Sequence, residues 1–184
     1  MPVQIGAKLD SGFDDPIGML ADCHRRIERF LAVLCRVADR PAPGALSGAL
    51  TDEEKQAVEE ALAYFRVGGQ RHNADEEESL FPRMRQAGSD SLAARLAEID
   101  NLEEEHREAA LLHASLDKLY TKWIAEGVLN EDEREQLRHN AARLARLYAE
   151  HIQIEETRVF PLAAQILDRE TIAAVGSEFR ARRR

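Results

Sequence analysis

The hydrophobic positions of this chain recur at alternating three- and four-residue intervals, the period of one face of an α-helix. Ile17, Leu20, His24, Ile27, Leu31, Leu34 and Ala38 form one stripe, and Val58, Leu62, Phe65, Gly69, His72, Glu76 and Ser79 a second. Leu102, His106, Ala109, His113, Leu116, Tyr120 and Trp123 form a third, and Leu137, Ala141, Leu144, Tyr148, His151 and Glu155 a fourth. Four long helices are predicted. The first opens at Asp15-Pro16, an N-cap followed by proline at the first helical position, and runs to about Asp39. Thr51 and Glu54 form a capping box that opens the second, which Pro82 should bend or end. The third covers about 101–126 and stops at Gly127; the fourth is capped by Asn130 with Glu133 and should bend near Pro161. Residues 1–14 read as an irregular arm, 41–48 as a linker and 88–90 as a turn, with short helices over 91–100 and 169–181.

Every stripe carries polar residues where leucine would be expected, and they follow a repeat. His72, Glu76, Glu77, Phe81 and Pro82 have the same spacing as His151, Glu155, Glu156, Phe160 and Pro161. One His-x3-Glu pair is an ordinary surface pair on a helix; two copies with the same downstream Phe-Pro are not. The repeat extends further, because His24 precedes the first box by 48 residues and His106 the second by 45. Asp90 and Asp168 follow the two Phe-Pro pairs, each ahead of a short helix. The predicted fold is all-α: an antiparallel up-down four-helix bundle with a pseudo-twofold repeat, plus short connecting and C-terminal helices, in one domain over 15–182.

Residues four apart share a helix face, so each box aims an imidazole and a carboxylate at one spot. The expected metal constellation is His24, His72, Glu76, His106, His151 and Glu155. Burying two carboxylates and four imidazoles uncompensated would be very costly, and a bound cation removes that cost. Two His and one carboxylate per ion, with open positions, suit non-haem iron. Closed structural zinc sites use four ligands, often cysteines, and no Cys motif is present.

The two boxes, His24, and His106 within Glu104-Glu105-His106-Arg107-Glu108 make the chain similar to the hemerythrin-like, or HHE cation-binding, family over about residues 15–165. The resemblance implies a bundle holding two non-haem Fe ions, oxo- or hydroxo-bridged, with the four His as ligands and Glu76 and Glu155 as bridges. Oxygen-carrying members have a further His where this chain has Ala110. His113 lies about 10 Å further along the helix than His106, so it is expected beside the site or in the core. The resemblance therefore points away from reversible oxygen carriage. It points to a protein that binds or reacts with O2, NO or H2O2 in sensing, redox chemistry or iron homeostasis, or to an enzyme of peroxide removal or iron-sulfur cluster repair.

Composition narrows the field. A net charge of −9 argues against a nucleic-acid surface, and Arg180 to Arg184 reads as a solvated basic tail. No apolar run approaches a membrane span and no signal peptide is evident, so a cytoplasmic protein is expected. Cys23 and Cys35 are about 18 Å apart along one helix, too far to pair; Cys35 falls on the apolar stripe and Cys23 off it. Tyr148 is either a hydrogen-bonding group at the site or ordinary packing. Glu77, Glu105 and Glu156 either orient ligand imidazoles or form solvated salt bridges, the second being expected. His139 is expected at the surface.

Overall fold

Asp15 Oδ1 accepts a hydrogen bond from the Gly18 backbone N–H at 3.0 Å, and Pro16 follows as the first helical residue. Helix α1 (Pro16–Ala38) begins there, where proline's missing N–H costs nothing. The computed structural model describes residues 11–40, 48–88 and 93–184; these are helical apart from short connections and contain no strand. Most of the expected arm, the linker up to Ser47 and the expected turn at 89–90 lie outside the described residues.

Helix α2 (Asp52–Tyr64) starts at the capping box: Thr51 Oγ1 accepts from the Glu54 N–H, and Glu54 Oε2 accepts from the Thr51 N–H at 2.8 Å. The ridge then continues unbroken through π1 (Phe65–Gly69), α3 (Gln70–Asp75), π2 (Glu76–Leu80) and α4 (Phe81–Ala87). Pro82 thus does not end the second helix. The π-helical turn ahead of it shifts the hydrogen-bond register, so the proline is met as the start of a fresh α segment.

Helix α5 (Ala93–Glu126) absorbs what sequence reading divides into a short helix and a third long one. No Gly or Pro lies between 93 and 126 to separate them. Gly127 ends it at φ +73°, a conformation that suits glycine. Helix α6 (Glu131–Ile154) opens on the Asn130/Glu133 capping box and passes through π3 (Glu155–Val159) into α7 (Phe160–Ile166), so Pro161 repeats the arrangement at Pro82. Asp168 caps α8 (Arg169–Ala181) through the Thr171 N–H at 2.8 Å.

Helix α1 lies against α2 and α6, α5 lies against α6, and α8 reaches α1, α3 and π2. The buried side chains form two apolar clusters. One holds Ile27, Leu34, Phe65, Leu116, Tyr120, Trp123 and Leu144; the other holds Leu20, Phe81, Met84, Leu102, Phe160 and Phe179. His24 falls between Leu20 and Ile27 of the two clusters, and His106 between Leu102 and Ala109. The polar positions therefore form a layer with apolar packing on both sides. None of the described helices is long and apolar enough to cross a membrane.

The basic C-terminus is not a solvated tail. Arg182 and Arg183 reach the fully buried Asp75 at 3.0 and 2.6 Å, and Arg182 also donates to Ser79 Oγ. Asp75 is one residue from Glu76 and occupies the position that Ile154 holds in the second repeat. A carboxylate buried there requires paired cations, and α8 supplies them. Helix α8 also packs tightly on the segment before α1: a Cβ at Gly176 would stand 1.9 Å from the Phe13 carbonyl oxygen.

Candidate metal centre

The six polar stripe residues come together, each no more than 4% exposed. His72 and Glu76 stand on the second ridge, His151 and Glu155 on the fourth, His24 on α1 and His106 on α5. Glu155 lies between two imidazoles, with Oε2 at 3.0 Å from His24 Nε2 and Oε1 at 3.2 Å from His151 Nε2. Glu76 likewise lies 3.5 Å from both His72 Nε2 and His106 Nε2. Two groups of four ligand atoms, each within 4.8 Å of one another, result: His24, His72, Glu76 and Glu155, and Glu76, His106, His151 and Glu155. Both carboxylates belong to both groups.

The π turns explain the spacing of the boxes. π2 begins at the buried Glu76 and π3 at the buried Glu155, and both end just before Phe-Pro. Phe160, the aromatic of the second box, stacks on the His24 ring at 5.4 Å between centroids. A π turn inside an α-helix is a common mark of a functional site.

Three imidazoles are held from behind. Glu77 Oε1 is 2.7 Å from His106 Nδ1, Glu105 Oε2 is 2.7 Å from His151 Nδ1, and Glu156 Oε1 is 2.9 Å from His24 Nδ1. Glu77 and Glu105 brace the rings, which corrects the expectation of solvated salt bridges, whereas Glu156 does both, bracing His24 and pairing with the exposed Arg25. One position past the buried carboxylate, Glu77 and Glu156 each reach sideways to the single His of the other repeat. A carboxylate beside Nδ1 accepts the Nδ1–H hydrogen bond, so a neutral ring keeps its proton there and turns the Nε2 lone pair inward. His106 Nε2 and His151 Nε2 consequently face each other at 3.0 Å. His72 differs, because its buried Nδ1 has no partner.

The electrostatics reflect crowding of like groups. Burial, reinforced by Glu155, pushes the Glu76 carboxyl well above the usual carboxylate range. Burial opposes ionisation of Glu155 too, but His151 and His24 outweigh it and hold that carboxyl low. Burial drives His72 well below the usual imidazole value, with His24 adding to the effect. His151 is also penalised by burial, yet Glu155 and Glu105 raise it to about 9.

The donor set fits a cation. Both oxygens of Glu76 and of Glu155, and His24 Nε2, are buried without a hydrogen-bond partner. His24 Nε2 and Glu155 Oε2 are close enough to touch, but their approach lacks hydrogen-bond geometry, as expected of two electron-pair donors turned toward a common point. Imidazole and carboxylate together suit iron.

A cavity of about 280 Å³ adjoins this layer, lined by Phe65, Gly69, Asn73, Ala109, Ala110, His113 and Tyr148 among others. Its wall includes π1, a π turn that the other repeat lacks among the described residues. His113 Nε2 and Tyr148 Oη are hydrogen-bonded at 3.0 Å. His113 therefore lines the cavity, one of the places expected for it, and Tyr148 both packs and bonds. Burial lowers His113 to about 4 and raises the Tyr148 hydroxyl.

The cysteines reverse their expected order. Cys23 is buried, accepting from Arg26 Nη2 at 3.2 Å, whereas Cys35 is half-buried. His139 is exposed. Sequence reading missed Asp75, whose only signal was an acid where the repeat has Ile154.

The family model described as the hemerythrin HHE cation binding domain matches residues 15–163. A protein of Haemophilus influenzae, described as uncharacterized, is 26% identical over 171 residues, covering 93% of this chain and 91% of that protein.

Proposed function

Because the chain belongs to the hemerythrin HHE cation binding domain family, we propose that it is a non-haem di-iron protein that binds or reacts with O2, NO or hydrogen peroxide, in sensing, redox chemistry or iron homeostasis. The observation that carries the reading is the pair of ligand groups sharing Glu76 and Glu155, whose buried oxygens have no other partner. His24 and His72 would hold one iron, His106 and His151 the other, and the two carboxylates would bridge. When bound, such a pair supplies reducible metal with coordination positions left for a small molecule.

The chain's own residues prepare that site. Glu77, Glu105 and Glu156 would accept from Nδ1–H of His106, His151 and His24 and so present Nε2 inward. The apolar clusters on either side of the polar layer exclude water. The cavity beside it is of a size for a small molecule, and His113 with Tyr148 holds a proton at its wall. Helix α1, the ridge from α2 to α4, α5, and the run from α6 to α7 would be the four antiparallel, up-down members of a pseudo-twofold bundle, in a single domain over 15–182. Two unpaired cysteines are consistent with a reducing, cytoplasmic setting.

An enzyme of peroxide removal is the alternative, favoured by the proton held at the cavity. Mixing the iron-loaded protein with hydrogen peroxide separates the two. Sustained turnover that Glu76→Ala abolishes marks the enzyme, and a single stoichiometric oxidation marks the sensor. Iron that reacts with neither peroxide, NO nor O2 would refute both.

A further inference from the structure

The pseudo-twofold repeat is broken behind the imidazoles. On the second side, His106 and His151 are both braced by carboxylates, Glu77 and Glu105, at 2.7 Å. On the first side, His24 shares its brace, Glu156, with the Arg25 guanidinium, and His72 Nδ1 has none. The difference is written in the chain. Glu105 directly precedes His106, and the residue in the matching place before His24 is Cys23. Cys23 offers no carboxylate, and its sulfur is engaged by Arg26.

A carboxylate behind a ligand imidazole does two things: it fixes the tautomer that leaves Nε2 free, and it adds electron density to the ring. His72 receives neither. To present Nε2 to a metal it must keep its proton on a buried Nδ1 with no acceptor. Arg25 further draws charge from Glu156 and so weakens the brace on His24.

We propose that the two metal positions are unequal: the His106–His151 position binds a divalent ion more tightly, and the His24–His72 position is the exchangeable one. The inference rests on the di-metal reading above. Removing an outer partner of this kind lowers metal affinity by about 10- to 100-fold, which sets the expected gap.

The test is a titration of the metal-free full chain with Co(II), followed by optical absorption and by calorimetry. Two ions sharing bridges repel each other, so a stepwise gap alone does not decide; the identity of the first site does. At one equivalent of Co(II), His24→Ala should leave binding nearly unchanged, and His106→Ala should weaken it about 10-fold or more. Glu105→Gln, milder and on the half-buried rim, should lower the first affinity and narrow the gap. The opposite pattern, with first-ion binding lost in His24→Ala and kept in His106→Ala, overturns the inference, as does equal weakening by both. No Co(II) binding by the unaltered chain would overturn this inference together with the di-metal reading.

Discussion

Glu77 Oε1 lies 2.7 Å from His106 Nδ1, joining two residues 29 positions apart on different helices. The glutamate directly follows the buried Glu76 of the first box, yet it serves the single His of the second repeat. Glu156 does the same in reverse for His24. Each box thus contributes inward through its first glutamate and sideways through its second. Glu77→Ala should leave the fold intact and lower iron retention about 10- to 100-fold, measured as iron per chain after dialysis against a chelator series. Unchanged retention would mean that the brace does not act on the metal.

The latch between Asp75 and the C-terminal arginines makes an asymmetric prediction. Arg182→Ala with Arg183→Ala leaves a carboxylate fully buried without its cations, and should cost about 3 kcal/mol or more. Asp75→Asn leaves behind guanidinium groups that still reach solvent, and should cost less. Urea midpoints of the variants compare them, and equal costs would contradict the burial argument.

His113 predicts a pH dependence. Burial depresses its folded-state pKa to about 4 from an ordinary 6.5. The unfolded chain then binds more protons than the folded one between these values. Its contribution is complete above about pH 6.5 and erodes as pH falls, by about 1.4 kcal/mol per pH unit at most, levelling off near pH 4. The ring is only half-buried, so the slope should fall short of that ceiling. Thermal midpoints of the metal-loaded protein and of His113→Gln, taken from pH 7 to pH 4, should converge on acidification; parallel curves would show that His113 does not titrate in this window.

Gly176 predicts a packing failure. A Cβ there would meet backbone, not a movable side chain. Gly176→Ala should lose about 1–3 kcal/mol despite alanine's better helix propensity, and a gain in stability would show that α8 can shift away from Phe13.

Four helix starts were legible because caps are local; that of α5 was not. Asp15, Thr51, Asn130 and Asp168 each bond a backbone N–H three residues on. The six polar residues of the central layer were legible because they keep the helical period and repeat. What crosses between helices was not. The contacts of Glu105 with His151 and of Arg183 with Asp75 span 46 and 108 positions, and no periodicity encodes them. The π turns left only a spacing in the sequence, from the buried glutamate to Phe-Pro, and spacing does not show hydrogen-bond register. For the same reason the sequence predicts a bend or an end at Pro82, where the ridge continues.

The metal content of the purified chain bears most directly on what the buried layer is for. Protein expressed in iron-rich medium should carry about two irons per chain if each of the two groups of ligand atoms holds one, and His72→Ala combined with His151→Ala should lose them while remaining helical by circular dichroism. Less than about half an iron per chain in the unaltered protein, or an iron content that the double substitution leaves unchanged, would contradict the di-iron assignment.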